Sequence, residues 1–287
     1  MGTGLVGTIR PMTSVATLLA TIPPPPFRNV ELGPLVLHGY GLCMGLAIVL
    51  AMSVFEAGLR RQQVDTSRVT SMALIAIVMG FVGARLYHVA SEPVHFANHP
   101  GDIIKIWEGG LGIYGAMLGG AGTGIWIAPR FGIPRRAAAD AGAAALLFAQ
   151  ALGRVGNYLN QELFGRPFDG PWALEVERSF RPAGYTDVLT FHPTFLYEAL
   201  GTLTLGVVFF LLVSRWTTRP RGILFPMYVA AYSLLRVCVE PLRIDDAHHW
   251  LGVRQNVWVA GTLVILGTAG ALLMWRRSAR TELARRA

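Results

Sequence analysis

The sequence predicts an all-α polytopic membrane protein of seven transmembrane helices. Three observations predict it. Seven apolar stretches each run near the ~20 residues that a helix needs to cross the bilayer core. Only 15% of the 287 residues are charged, against 53% hydrophobic, which is fewer charges than a soluble domain of this length carries. The arginines gather in alternate short connections, as topology signals do. A net charge of +8 would point to nucleic acid in a soluble chain. Here it belongs to those connections, and no nucleic-acid partner is expected.

Residues 1–34 come first, as an extracytoplasmic arm. The apolar run after Arg10 is short and stops at Pro23–Pro26 with no clear cleavage site. The spans follow at about 35–57, 71–90, 109–128, 137–157, 194–214, 222–240 and 255–275. The fourth is the weakest, being Ala-rich with Asp140 near its start. The first connection holds Arg60, Arg61 and Arg68, the third Arg130, Arg135 and Arg136, the fifth Arg215, Arg219 and Arg221. The tail 276–287 is basic. With seven spans all four segments share one side, so the N-terminus is expected outside and the C-terminus inside. The stretch 158–193 is the longest connection and is expected as a small extracytoplasmic cap, with a short strand at Trp172–Val176. Residues 35–275 are expected to form one seven-helix transmembrane domain around that insertion. Cys43 and Cys238 both fall in spans, where a structural disulfide is not expected. No His/Cys cluster with metal-ligand spacing is found. P-loop, GxSxG and HExxH motifs are missing.

Charges inside spans carry the functional argument. A guanidinium in hydrocarbon is expensive and keeps its proton, so Arg85, Arg154 and Arg236 mark a site. The second, fourth and sixth spans run inward to outward, which sets all three near outer ends, ~5–8 Å below them at ~1.5 Å per residue. Tyr40 and Tyr114 start the first and third spans at the same level. Asn157, Asn160, Glu162, His192, Glu240 and Arg243 flank it. Each has a bland explanation: an arginine snorkels, a tyrosine anchors at the interface, and Arg236 and Glu240 neutralise each other at i,i+4. Those explanations cover one or two residues, not a layer drawn from five spans. The glycines that crowd the third span are read as packing, with Gly109 and Gly110 able to leave room for a head group. A layer of fixed cations and amide donors at the interface suits a lipid phosphate.

The run Gly153-Arg-Val-Gly-Asn-Tyr-Leu-Asn-Gln-Glu-Leu-Phe-Gly165 strongly resembles the signature GRxGNxxNxExxG of the prolipoprotein diacylglyceryl transferases. The likeness extends over nearly the whole chain. Ile22-Pro-Pro-Pro with His38-Gly-Tyr40-Gly resembles that family's arm and first helix. Gly83-Ala-Arg85-Leu lies on the second helix, and Trp107-Glu-Gly-Gly-Leu-Gly-Ile-Tyr114-Gly resembles the third-helix motif. His192-Pro-Thr-Phe-Leu-Tyr197-Glu198 matches HPxxLYE, and Arg236 to Ala247 matches RxxxExxRxxDA.

The resemblance implies transfer of diacylglyceryl from phosphatidylglycerol to the lipobox cysteine of a preprolipoprotein, giving a thioether and glycerol phosphate. The partners are then phosphatidylglycerol, signal peptides that carry a lipobox cysteine, and membrane lipids. The place is the bacterial cytoplasmic membrane, with the site facing the outer leaflet and reached through lateral openings between helices. Arg154 and Arg236 clamp the phosphate; Glu240 orients Arg236, with Arg243 in support. Tyr40, Asn157, Asn160, Glu162, Arg85, Arg243 and His192 contact the lipid. Many members carry His where this chain has Tyr114, so three candidates stand for the base that takes the thiol proton: Tyr114, His192 and Glu162. A thiol with its pKa depressed near the arginines is the alternative. No metal or organic cofactor is expected. The competing readings are a catalytically impaired relative and a transporter or binder of anionic lipid or solute.

Overall fold

The apolar runs fold as helices because a backbone in apolar surroundings must satisfy its own hydrogen bonds. The computed structural model describes residues 21–32, 35–106, 109–110, 112–247 and 249–286, excepting the side chains of 32, 35, 113, 114 and 282–286. Most of the N-terminal arm, Trp107, Glu108 and His248 therefore lie outside the described residues. Asn29–Leu32 (β1) and Leu35–His38 (β2) form an antiparallel hairpin with Asn29 opposite His38. It feeds directly into Gly39–Arg61 (α1), which is followed by Val69–Ser91 (α2), the short Pro93–Asn98 (α3) and a 3₁₀ turn at Pro100–Ile104.

The third expected span is broken. Ile113–Met117 (α4) passes into a π-helical turn at Leu118–Gly122, then Thr123–Ile127 (α5) and a 3₁₀ turn at Ala128–Phe131. Arg135–Leu159 (α6), Thr194–Arg215 (α7), Leu224–Val239 (α8) and Gln255–Arg286 (α9) complete the helices. Among the described residues, four helices are long and apolar enough to cross a membrane: α1, α2, α7 and Gln255–Thr281 of α9. Of the other expected spans, the third is interrupted, α6 is long but carries Asp140 and Arg154, and α8 has 16 residues. The chain is a helical multi-pass membrane protein.

α6, the weakest span by sequence, is the centre of the bundle. It packs along both α1 and α7, and Ala137, Ala141, Ala143 and Ala144 are buried on it. Small side chains let neighbouring backbones approach, which is what association in lipid requires. Asp140 is fully buried there. Its carboxylate accepts the N–H groups of Gly222 at 2.9 Å and Leu224 at 3.0 Å, with the Arg219 guanidinium at 3.4 Å. Leu224 opens α8, where a helix has orphan donors and favours negative charge, and Gly222 lies just before it.

Glycines set a second contact. A Cβ on Gly83 of α2 would overlap the carbonyl of Gly115, and one on Gly115 would overlap that of Gly83. α2 and α4 thus touch backbone to backbone.

The long connection folds as a small unit. Leu174–Glu175 (β3) pairs antiparallel with Thr190–Phe191 (β4), over a core of Phe164, Leu174, Val176 and Phe191. The strand expected at Trp172–Val176 shrinks to two residues because Trp172 turns the chain at φ +58°. The start of the described chain docks here: Ile22 N–H donates to Ala173 at 2.8 Å, and Arg28 stacks its guanidinium 4.1 Å from the Phe180 ring centre. His249–Trp250 (β5) and Val253–Arg254 (β6) form a last hairpin that leads into α9.

Candidate active site

Helical spacing places Arg154 and Asn157 one turn apart at the end of α6. Arg154 donates to the Asn157 side-chain oxygen at 3.0 Å, and the Asn157 amide donates to Glu162 at 2.8 Å. Glu162 is exposed just beyond the helix end, between Gln161 and Leu163, both at positive φ. Asn160 is the C-cap of α6, and its carbonyl lies 3.5 Å from Arg28. Gly156 lets Tyr40 lie against α6, since a Cβ there would stand 2.8 Å from the Tyr40 ring.

On its other side Arg154 meets Glu198, one turn into α7. The two form an ion pair at 2.8 Å without hydrogen-bond geometry. Glu198, 1% exposed, also receives Arg236 from α8 at 2.6 Å and faces Arg243 at 3.8 Å. Arg236 turns its second nitrogen to Glu240, which is fully buried. Glu240 further accepts from Arg254 at 3.0 Å and from the Asn256 amide at 2.8 Å. Arg254 and Arg243 both pair with Asp245, at 3.0 and 2.7 Å. Asp245 lies outside the spans. Burial opposes its ionisation, but the hydrogen bond from Arg243 and the charges of Arg243 and Arg254 hold it below the usual carboxylate range.

The result is one chain of contacts from Glu162 to Asp245 that draws on α6, α7, α8 and the start of α9. Arg154, Arg236, Glu240, Arg243, Asn157 and Glu162 are in it, as their sequence positions suggest. Glu198, Asp245, Arg254 and Asn256 are the members that sequence reasoning left out of the site. Glu198 carried a signal, because a carboxylate one turn inside an apolar run is as costly as an arginine there. Arg254 and Asn256 carried none, since 14 and 16 residues separate them from Glu240 with a hairpin between.

Other expected site residues lie elsewhere. Arg85 is buried and donates to main-chain carbonyls: Ile103 at 2.9 Å, Gly109 at 2.8 Å, Gly110 at 3.0 Å, and Asp102. It ties down the α2–α4 connection. Both glycines have positive φ; the room at Gly110 is taken up, since a Cβ there would overlap His88, whereas a Cβ on Gly109 would meet nothing within 4 Å. His192 sits in the cap connection, stacked on Phe168 at 4.2 Å with Nδ1 3.1 Å from the Tyr197 hydroxyl. Burial, and then the nearby Arg166 charge, lower its pKa, so the imidazole is neutral near pH 7. The Tyr114 backbone belongs to α4, and its side chain lies outside the described residues. Cys43 and Cys238 are free thiols.

One cluster lies apart from the spacing the sequence was searched for. Among the described residues, His95, His99 and Asp102 come together, with one donor atom from each within 4.8 Å of the others. His95 and His99 are spaced one helical turn apart, and the 3₁₀ turn that follows returns Asp102 to them.

The family model for prolipoprotein diacylglyceryl transferase matches residues 28–275. The phosphatidylglycerol–prolipoprotein diacylglyceryl transferase of Frankia alni is 44% identical over 266 residues, covering 91% of this chain and 69% of that protein. The protein of the same name from Cutibacterium acnes is 43% identical over 265 residues, covering 90% and 87%. Number 2 of that name from Streptomyces coelicolor is 41% identical over 260 residues, covering 89% and 81%. A family match over most of the chain, with relatives at this identity, means that the chain belongs to the prolipoprotein diacylglyceryl transferase family.

Proposed function

We propose that this chain transfers the diacylglyceryl group of phosphatidylglycerol to the lipobox cysteine of a preprolipoprotein. The observation that carries the reading is the convergence of Arg154 and Arg236 on buried Glu198. One carboxylate fixes two guanidiniums in one place, so the phosphate meets donors that need no rearrangement.

The charges suit the substrate. Arg154, Arg236, Arg243 and Arg254 balance Glu198, Glu240, Asp245 and Glu162, so the cluster gains one net positive charge when Glu162 takes the thiol proton. The thiol gives its proton to a base, and the thiolate attacks the glyceryl carbon next to the phosphate. A C–S bond forms, the C–O bond breaks, and its electron pair leaves on glycerol phosphate. Glu162 is the favoured base, because Asn157 links it to Arg154. When Glu162 takes the proton, the arginines face the phosphate as it becomes a dianion. Tyr40 lines the lipid pocket on α1, and Asn157 and Asn160 serve the head group. Glu240 orients Arg236, with Arg243 in support. Arg85 acts from a distance by holding the segment that leads into α4, and Tyr114 stays a candidate for the proton-accepting role.

The seven spans are α1, α2, the α4–α5 segment, α6, α7, α8 and α9, in the bacterial cytoplasmic membrane with the N-terminus out. The charge chain then lies near the outer face, under the 158–193 cap. Signal peptide and lipid enter between helices from the bilayer.

The test is transfer itself. Purified protein in liposomes receives phosphatidylglycerol and a lipobox peptide. Glycerol phosphate release and a diacylglyceryl mass gain on the peptide are expected. A peptide with Cys replaced by Ser abolishes both, and Arg154→Ala slows them by about 10²–10³-fold. A folded wild-type protein that transfers nothing would sink the proposal.

A further inference from the structure

The connection between α2 and α4 carries chemistry that transfer does not use. α3 presents His95, and His99 follows one turn later, with their rings stacked at 5.1 Å. His95 Nε2 and Asp102 Oδ2 stand 3.4 Å apart. Two donors that each lie ~2.0–2.1 Å from a tetrahedral zinc ion are themselves about 3.3–3.4 Å apart. His99 Nδ1 is 3.4 Å from the carbonyl oxygen of His95. A metal-bound imidazole turns its second nitrogen to just such a carbonyl, which leaves Nε2 for the ion. Lys105 holds Asp102 Oδ1 at 2.7 Å, so Oδ2 is the oxygen facing the histidines. The backbone under this group is fastened, because Arg85 binds the carbonyls of Asp102 and Ile103.

We propose that His95, His99 and Asp102 bind one divalent transition-metal ion, with zinc the best match. Two imidazoles and one carboxylate suit zinc and its neighbours rather than magnesium or calcium, which take oxygen ligands. Both histidines are exposed, so water completes the coordination. The ion clasps α3 to the 3₁₀ turn. Through the Asp102 carbonyl and Arg85 it also stiffens the segment running to Gly109 and Gly110, at the entrance to the broken span.

The experiment uses the full chain in detergent, without a polyhistidine tag and stripped of metal. Zinc is titrated calorimetrically, and cobalt is followed by its visible absorption. One ion per chain is expected. The double variant His95→Ala/His99→Ala loses more than the 10–100-fold typical of outer partners. Lys105→Met, which removes a like charge beside the ion, tightens binding severalfold. Asp102→Asn weakens binding with both histidines intact, and guards against a misfolded double variant. A folded wild-type chain that binds neither ion overturns the proposal. So does binding that is unchanged in the double and Asp102→Asn variants.

Discussion

Glu198 shows how much a single buried carboxylate can organise. It pairs with and aims three guanidiniums from three chain segments. Glu198→Gln keeps the shape and removes the charge. Transfer should fall by about 10²–10³-fold, as when a preorganised donor is lost. Breaking a buried pair should also cost about 3–5 kcal/mol of stability. Wild-type transfer rate and melting temperature in the variant would contradict this. His192 gives a pH prediction. Its folded pKa lies below the ordinary value of 6.5. Between the two values the unfolded chain binds more protons, so this contribution is complete above pH ~6.5 and is lost as pH falls through the folded value. His192→Phe, which keeps the stack on Phe168, should flatten the acid side of a melting-temperature profile taken from pH 7 to pH 5. An unchanged slope counts against it. At this scale the sequence was legible wherever a charge interrupted an apolar run, as at Arg154 and Arg236. It was illegible at Arg254, whose partners are fixed by a hairpin that leaves no periodicity.

Among the elements, the third span departs furthest from its sequence pattern. An apolar run reads the same whether its helix is continuous or broken, and Leu118–Gly122 has few side chains to report the π turn. The glycine spacing was more informative, since Gly83 and Gly115 prove to be where α2 and α4 meet. Gly115→Val would drive side-chain atoms into the Gly83 carbonyl. It should cost about 1–3 kcal/mol or more, as overpacking does, and lower transfer by displacing Tyr114. Valine at Gly122, where a Cβ meets nothing within 4 Å, is the control. Equal melting temperatures for the two variants would count against the contact. α6 was underrated for a related reason: alanines score weakly as apolar residues, yet they are what lets a helix sit between α1 and α7.

Over the whole molecule, the arginine-rich connections and the cap are proposed to lie on opposite sides of the membrane. With Cys43→Ser and Cys238→Ser as background, an impermeant thiol reagent on intact cells should label Asp169→Cys in the cap and spare Thr218→Cys. Both positions are exposed. The reverse pattern, or equal labelling, would remove the proposed topology. Helical class and the main apolar runs were legible from composition alone. The seven-span count leans on the α4–α5 segment, α6 and α8, which length and hydropathy do not identify: the first is broken, α6 carries Asp140 and Arg154, and α8 has only 16 residues.

That matching has a consequence for synthesis. Asp140 leaves the ribosome 79 residues before Arg219, its partner, and Arg154 precedes Glu198. For that interval α6 holds unpaired charges that hydrocarbon rejects. If α6 spans as proposed, its stable insertion is expected only once α7 and the start of α8 are made. In the proposed topology these pairings therefore act as a timing device, which commits the middle of the chain to the bilayer only when its second half has arrived.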